Sequence, residues 1–481
     1  MIKLGKSQLP LAHTKLNFEC FGPVATKDGE FSGTKIADLG CFDQDGKDSN
    51  KFYFGCVAKS KLNQKYYCYF EWGRTGLTPD FQFYECDSES EAQGIYEKQI
   101  HSKNDKRGIW YNHPVLGKLL KAKPGKDCYL IRQQAVRTTG LPDARKIGLK
   151  VTSKVSASYD PETESLLRDL QIGNIEYTKS NFSSGFIPTL EAINEARLIL
   201  VEAAKGKDLK ELTKLLYSKI PKVTHIGEKV ELQTENIKSW LEDLDAFEDS
   251  YNNIESGSSI SSTKYELQHI NRTHQLWFNI ERIITSSTRN RHSYLPQGMK
   301  VLNLWEVTNI PDWFTKKQEE VAKEYTGEKT PMIFQPEKTD LEKKSNSAIL
   351  FHGSRSCNIS GILSTGFRLP KALKGVQING SLIGNGVYHA DDWKKSAGYT
   401  SIDNSYWSNG SGKIINRKAF MFLNDVILGN TYTIQYPKHF DNPPEKYHSV
   451  VALEGGSFQN REYVVYNIDS FYPKYLIEFQ I

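Results

Sequence analysis

Residues Ala348-Ile-Leu-Phe-His-Gly-Ser-Arg355 carry four apolar residues straight into His-Gly-Ser-Arg. A short apolar run that ends at a glycine reads as a buried strand opening into a tight turn, because Gly353 admits backbone shapes that other residues avoid. Polar side chains at the mouth of a buried strand are held by a rigid scaffold, and a ligand can meet them there. Three further segments follow in order: Gly384-Asn-Gly-Val-Tyr-His-Ala-Asp391, Lys395-Ser-Ala-Gly-Tyr399 and Arg461-Glu-Tyr-Val-Val-Tyr466.

The chain around them has 481 residues, which leads to an expectation of about two to four domains. Hydrophobic residues make up 38% and aromatic residues 12%, a composition of folded rather than disordered chains. The net charge of +5 says little about partners. Its distribution says more: His101 to Val155 holds roughly a dozen basic residues against three acidic ones, a skew that points to a polyanion or to a solvated basic face. The seven cysteines, Cys20, Cys41, Cys56, Cys68, Cys86, Cys128 and Cys357, contain no Cys-x-x-Cys pair, so neither a zinc site nor a disulfide framework is expected. Met1-Ile-Lys-Leu-Gly-Lys6 lacks the apolar core of a signal peptide, and no run approaches a membrane span. The expectation is an intracellular, soluble protein.

Residues 1–135 read as a β-rich domain. Lys51-Phe-Tyr-Phe-Gly-Cys-Val57 and Lys65-Tyr-Tyr-Cys-Tyr-Phe-Glu-Trp72 are aromatic-rich runs of the kind strands prefer, separated by a polar, turn-like stretch. Ser88-x-x-Glu91 then opens a helix with Ala92, Ile95, Tyr96 and Ile100 on one face. Pro124-Gly-Lys126 breaks the chain before a strand at Cys128–Ile131, and residues 136–160 read as a linker. Residues 161–255 read as helical. One helix places Leu190, Ile193, Ala196 and Leu200 on a face and ends at Gly206. A second is expected to be capped by Asp208-x-x-Glu211 and stopped by Pro221. A third is expected to be capped by Thr234, with Ile237, Leu241 and Leu244 inward and Glu242, Asp243, Asp245 and Glu248 outward. A small-polar linker, Ser256–Thr263, precedes strand-like runs at 299–307, 348–351, 386–390, 419–426, 462–466 and 475–481. That pattern predicts an α+β domain of twisted sheets. No Gly-x-Gly-x-x-Gly opens a helix after a strand and there is no Walker loop.

The four segments quoted first, in their order, resemble the catalytic domain of the poly(ADP-ribose) polymerases. Trp72-Gly-Arg74 on its aromatic strand, the capped helix, Gly108-Ile-Trp110 and Lys121-Ala-Lys-Pro-Gly-Lys126 together resemble a WGR domain, which in that family touches DNA at breaks. Leu216-Tyr-Ser-Lys-Ile-Pro221 resembles the Ile-Pro turn of the family's helical regulatory domain, which blocks NAD until DNA binding loosens it. Lys264–His274 resembles the start of the transferase. The resemblance therefore implies a multidomain α+β chain: a WGR domain at 1–135, a linker at 136–160, an all-α helical regulatory domain at 161–255 and an α+β ADP-ribosyltransferase catalytic domain at 256–481. It implies NAD as substrate, no metal, and as partners DNA with strand breaks and acceptor proteins including the chain itself. It also implies a nuclear location in a eukaryote and a cytoplasmic or nucleoid one otherwise.

The chemistry fits these residues. Breaking the nicotinamide–ribose bond builds positive charge on the sugar, and a fixed carboxylate stabilises that charge most in the transition state. Glu462, at the start of a strand, is the candidate; alone it would read as a solvent-facing carboxylate. The resemblance makes Tyr388 and Tyr399 the rings that sandwich nicotinamide, with Ser396 and the Gly353 backbone on its carboxamide. It places His352, Ser354, Asn358 and Arg368 on the adenosine half of NAD and Lys395 beside the acceptor site. It makes Trp72 and Arg74 DNA contacts, although Trp72 by itself reads equally as a half-buried core aromatic. His352, Tyr388 and Glu462 form the set associated with polymer-forming members. Three departures stand out: His389 where the family has Phe, a short span between Lys446-Tyr-His-Ser449 and Glu462, and a Gln275–Gly298 segment that reads as an insertion. The expected function is a DNA-dependent ADP-ribosyltransferase acting in the DNA damage response. The alternatives are a mono-ADP-ribosyltransferase or an inactive DNA-end binding scaffold.

Overall fold

The apolar run at 348–353 is a strand in the computed structural model of the chain. The structure describes residues 2–4, 31–43, 49–60, 64–77, 80–114, 116–124, 126–132, 136–137, 159–182, 186–225, 227–255, 263–286, 298–327, 330, 338–369, 382–401 and 418–481. Most of the expected 136–160 linker, and the Ser256–Thr263 linker except Thr263, lie outside the described residues. The chain separates into two units, one of Met1–Ile147 with Thr178–Asn252 and one of Gly148–Tyr177 with Asn253–Ile481.

In the first unit, strands β1 (Ile2–Leu4), β2 (Phe31–Asp43), β3 (Ser49–Ser60), β4 (Tyr66–Arg74) and β5 (Asp80–Cys86) precede helix α1 (Glu89–Lys103). The hairpin β6 (Gly108–His113) and β7 (Gly117–Ala122), β8 (Leu130–Arg132) and β9 (Val136–Arg137) follow. Six strands form an antiparallel sheet ordered β1-β5-β4-β3-β2-β8. Successive residues of a strand point to opposite faces. Leu39, Cys41, Tyr53, Val57, Cys68 and Phe70 therefore line one face, where they pack on Ala92 and Tyr96 of α1. Ser88 caps α1 as the sequence predicts, accepting from the Glu91 N–H; the Glu91 carboxylate returns to the Asp87 N–H rather than to Ser88.

Helix α2 (Pro161–Asn181) gives the first unit only its last residues. The two-residue strand β10 (Phe186–Ile187) pairs with β9, and α3 (Leu190–Ala203), α4 (Leu209–Lys219) and α5 (Ile237–Glu255) follow. Ile193, Ala196 and Leu200 are buried as expected, whereas Leu190 is exposed. Thr189 caps α3, which the sequence reading missed. Two expected caps are corrected. Asp208 sits in the left-handed region (φ 53°) and its side chain makes no cap bond. Thr234 lies inside a 3₁₀ turn, Thr234–Asn236, that Gln233 caps. Asp243, expected outward, is buried against the Lys222 ammonium at 2.6 Å, a pairing its burial demands. The helices meet the sheet within this unit: Phe42 stacks on Tyr217 at 4.4 Å, and Asn50 donates to Thr224 Oγ1 at 2.9 Å.

In the second unit the remaining elements are β11 (Leu267–His269), α6 (Gln275–Ser286), β12 (Lys300–Val307), α7 (Asp312–Glu324), α8 (Asp340–Lys344), β13 (Ser347–Gly353), α9 (Ser356–Thr365), β14 (Val387–His389), α10 (Trp393–Ala397), β15 (Ala419–Ile427), β16 (Thr431–Ile434), β17 (Ser449–Ala452), β18 (Glu462–Val465) and β19 (Phe471–Gln480). They build two sheets, β11-β12-β19-β15-β13 and β14-β18-β17-β16, antiparallel except for β16 with β17. The expectation of a mixed α and β architecture holds. The described part of the Gln275–Gly298 segment is integral to the core: Trp277, Ile280, Ile283 and Ile284 of α6 belong to the same cluster as Phe351, Met421 and Ile477. Leu166, Leu167 and Leu170 of α2 pack on the other side of this sheet, beside Tyr265, Leu267 and Phe422.

Candidate active site

The site begins where β13 meets α10. A Cβ on Gly353 would lie 1.9 Å from the Ser396 carbonyl oxygen, so only glycine lets the helix approach the strand end this closely. Ser396 is buried, and its hydroxyl donates to the Phe351 carbonyl at 3.1 Å. Its lone pairs are left to accept from a ligand N–H. Asp392 caps α10 by accepting from the Lys394 N–H.

Strand β14 joins the same place. Phe351 and Ala390 exchange both backbone hydrogen bonds, at 2.8 and 3.0 Å. His352 Nδ1 lies 2.9 Å from the Tyr388 carbonyl. A carbonyl only accepts, so Nδ1 carries the hydrogen and a neutral His352 keeps Nε2 as an acceptor. The Tyr388 hydroxyl donates to the Gly384 carbonyl at 2.8 Å and accepts from the Ile383 N–H at 3.0 Å. Burial pushes this hydroxyl well above the ordinary tyrosine range, so it stays protonated and the ring is fixed. Gly384 (φ 99°) packs so tightly on Phe440 that a Cβ would meet its carbonyl oxygen at 1.9 Å.

Strand β18 completes the arrangement. Tyr388 pairs with Val464 and His389 with Tyr463, and Glu462 begins β18 opposite Ala452 of β17. Glu462 accepts from Lys395 Nζ at 2.8 Å, and both side chains are mostly buried. The Lys395 ammonium also lies over the Tyr399 ring, 5.5 Å from its centroid. Arg461 bridges Asp391 at 3.4 Å and Glu454 at 3.2 Å, and the Tyr463 hydroxyl donates to Asp391 at 3.1 Å. The strand start that carries Glu462 is thus tied to the end of β14 and to the segment after β17.

His352, Gly353, Tyr388, Lys395, Ser396, Tyr399 and Glu462 are therefore knit together by neighbouring elements. Ser354 is half-buried at the turn after Gly353. Asn358 is buried in α9 and accepts from Cys357 Sγ. Arg368 is exposed and follows Phe367, whose ring meets His352 edge-on at 5.1 Å. His389 is buried behind His352, accepts from Asn424 Nδ2 at 3.0 Å and packs edge-on against Phe471. Burial, with the His352 ring close by, pushes its imidazole well below the ordinary range. The Asp391–Arg461–Glu454 links are what sequence reasoning missed, though Asp391 ends one quoted motif and Arg461 opens another.

Trp72 and Arg74 belong to the other unit. Trp72 is half-buried and stacks on Tyr53 at 6.0 Å, while Arg74 donates to the His225 carbonyl at 3.3 Å. Asp160, Glu162 and His269 bring three ligand atoms within 4.8 Å of one another. Asp160 already caps α2, accepting from the Thr163 N–H and hydroxyl, and from the His269 N–H at 3.3 Å. Among the described residues no helix is long and apolar enough to cross a membrane.

Comparison with known proteins gives two family matches. The poly(ADP-ribose) polymerase catalytic domain matches residues 278–455, and the WGR domain matches residues 41–111. The first match contains every candidate catalytic residue except Glu462, which lies beyond its end. Poly(ADP-ribose) polymerase 1 of Arabidopsis thaliana is 23% identical over 443 residues, which is 88% of this chain and 41% of that protein. Protein mono-ADP-ribosyltransferase PARP3 of Mus musculus is 21% identical over 442 residues, 85% of this chain and 75% of that protein. Poly(ADP-ribose) polymerase 1 of Oryza sativa subsp. japonica is 36% identical over 110 residues, 22% of this chain and 10% of that protein. The chain spans about two fifths of the length of the Arabidopsis relative.

Proposed function

Because the chain belongs to the poly(ADP-ribose) polymerase family, with that family's catalytic domain and a WGR domain, we propose that it is a DNA-dependent NAD ADP-ribosyltransferase. It cleaves the nicotinamide–ribose bond of NAD and transfers ADP-ribose, as polymer, to acceptor proteins including itself. The observation that carries this reading is the Glu462 carboxylate, held by Lys395 at 2.8 Å at the head of a strand paired to the one bearing Tyr388. A carboxylate fixed this way needs no reorganisation when charge develops on the ribose, so it lowers the barrier more than it tightens substrate binding.

The other residues fit NAD. Tyr388 and Tyr399 offer ring faces for the nicotinamide, which leaves as a neutral base. Ser396 and the Gly353 backbone orient its carboxamide. His352, whose Nδ1 is bound to the Tyr388 carbonyl, serves the adenosine half together with Ser354, Asn358 and Arg368. Lys395 serves the acceptor side. No metal takes part. The proposed organisation is a WGR domain at 1–135, a linker at 136–160, a helical regulatory domain at 161–255 and the transferase at 256–481. In it Trp72 and Arg74 meet DNA with strand breaks, and helices of the regulatory domain restrain the transferase until they do. The role is in the DNA damage response, nuclear in a eukaryotic source and cytoplasmic or nucleoid otherwise.

A second reading, transfer of single ADP-ribose units, is favoured by one feature: only the residues from Leu453 to Arg461 connect β17 to β18, beside Glu462. Incorporation of labelled NAD by the purified full chain, with and without nicked DNA, tests both. A DNA-dependent ladder is expected. A single shifted band moves the assignment to mono-transfer. No incorporation with DNA still bound makes the chain a DNA-end scaffold and overturns the enzymatic reading.

A further inference from the structure

A second cavity lies in the same unit as the candidate active site, at the far end of β13. It measures about 230 Å³, below the range of drug-sized ligand sites, and has room for only a small molecule. Ala348 and Ile349 line it, and Ala348 is four residues from His352, about 13 Å along an extended strand. One wall is apolar: Leu276, Ile280 and Ile283 of α6, with Ile349 and Tyr475. The other is a group of four charges, Lys338, Glu342, Asp425 and Lys474.

The unusual member is Asp425. It is 3% exposed, its Oδ2 accepts a long 3.4 Å bond from Lys474, and its Oδ1 has no hydrogen-bond partner. Lys474 divides its ammonium between Asp425 and Glu342, which it meets at 3.3 Å. A buried carboxylate oxygen without a donor is costly. The charges lining the cavity balance, two ammoniums against two carboxylates, so the lining offers an added ion of either sign no net attraction to offset the loss of its hydration.

We propose that this cavity binds a small uncharged molecule with an aromatic body and a hydroxyl donor, a phenol or aromatic alcohol, whose ring packs on α6 and whose O–H donates to Asp425 Oδ1. Burial pushes the Asp425 carboxyl up to about 6, the direction expected of an acceptor short of donors, and at neutral pH it remains ionised. The pocket is distinct from the nicotinamide site and does not depend on the function proposed for that site.

The test is binding of phenol, toluene and benzylamine to the full chain at neutral pH, followed by saturation-transfer NMR. Phenol is expected to bind about tenfold more tightly than toluene, and benzylamine least of all. Asn279→Trp, at the exposed rim of the cavity, should abolish phenol binding, and Asp425→Asn should shrink the preference over toluene while the variant stays folded. A non-hydrolysable NAD analogue should not displace phenol. Equal binding of toluene, undiminished binding to Asn279→Trp, displacement by the analogue, or no binding at all each overturns the proposal.

Discussion

Glu462 and Lys395 are 67 positions apart in sequence and 2.8 Å apart in space. The carboxylate's proposed work is done in the transition state, so Glu462→Gln should cut turnover of NAD about 10²–10³-fold and leave the affinity for a non-hydrolysable NAD analogue nearly unchanged. Single-turnover kinetics beside calorimetric titration separates the two effects; a variant that still turns NAD over at the wild-type rate removes Glu462 from the chemistry. Asp425 gives a different single-residue test. Its folded value, about 6, lies above the ordinary aspartate range, so between about pH 4 and 6 the folded chain holds more protons than the unfolded one. Its contribution to stability is therefore full below that window and is lost as pH rises through 6. Lys474, Glu342 and Lys338 face it and do not reverse the direction that burial sets. Comparing the chain with Asp425→Asn by denaturant melts at several pH values, the wild type should lose on the order of 2–3 kcal/mol relative to the variant across that window. A difference that does not change with pH would place the ordinary carboxyl value in the folded state.

Elements carry the next prediction. Helix α2 docks on α9 through polar contacts: Asn174 donates to the Cys357 carbonyl at 2.8 Å, and Arg355 donates to the Tyr177 hydroxyl at 2.9 Å. Tyr177→Phe removes the acceptor of a buried guanidinium N–H, a loss of about 1–3 kcal/mol. If the helical part restrains the transferase, loosening α2 should raise NAD turnover without DNA several-fold; a lower melting temperature with unchanged basal turnover would make the contact merely structural. How far such elements are legible in sequence depends on how local their cause is. The Ser88 cap and the Ala92–Tyr96 face of α1 are set within a few residues and were readable. So was the apolar run of β13. Asp208 shows the limit: the Asp-x-x-Glu spacing looks like a cap, but the backbone there is left-handed and the side chain points elsewhere. Asp243 was placed outward because it sits among acidic residues; its partner Lys222 comes from beyond the end of α4 and is invisible to helical periodicity. Strand β2 was missed because Gly33 and Gly40 interrupt its alternation, and its edges are fixed only by pairing with β3 and β8. In the candidate site the motifs announced the residue types. The ion pair of Lys395 with Glu462 and the Arg461 bridge came only from the sheets.

For the whole chain, the proposed DNA dependence requires that an event at the WGR domain reach the transferase in the other unit. Within its own unit the WGR strands β3 and β4 are already joined to the helical region. Arg74 donates to the His225 carbonyl, Asn50 donates to the Lys222 carbonyl at 3.1 Å and to Thr224, and Lys222 pairs with Asp243 of α5. A ligand that took the Arg74 guanidinium for a phosphate would withdraw it from His225, and the segment after α4 would lose one of its ties to the sheet. Trp72 is the less informative position to alter, because its ring stacks on Tyr53 and truncation would cost packing as well as any DNA contact. Arg74→Ala should lower DNA-stimulated incorporation of labelled NAD about tenfold, weaken binding of nicked duplex with a shallower salt dependence, and leave DNA-independent turnover unchanged. Arg74→Lys keeps the charge and loses the fork geometry, so it should recover much of the binding and less of the stimulation. The comparison of the two variants separates a phosphate contact from a positional one. If both respond to nicked DNA as the unaltered chain does, neither the phosphate contact nor the link through His225 transmits the signal.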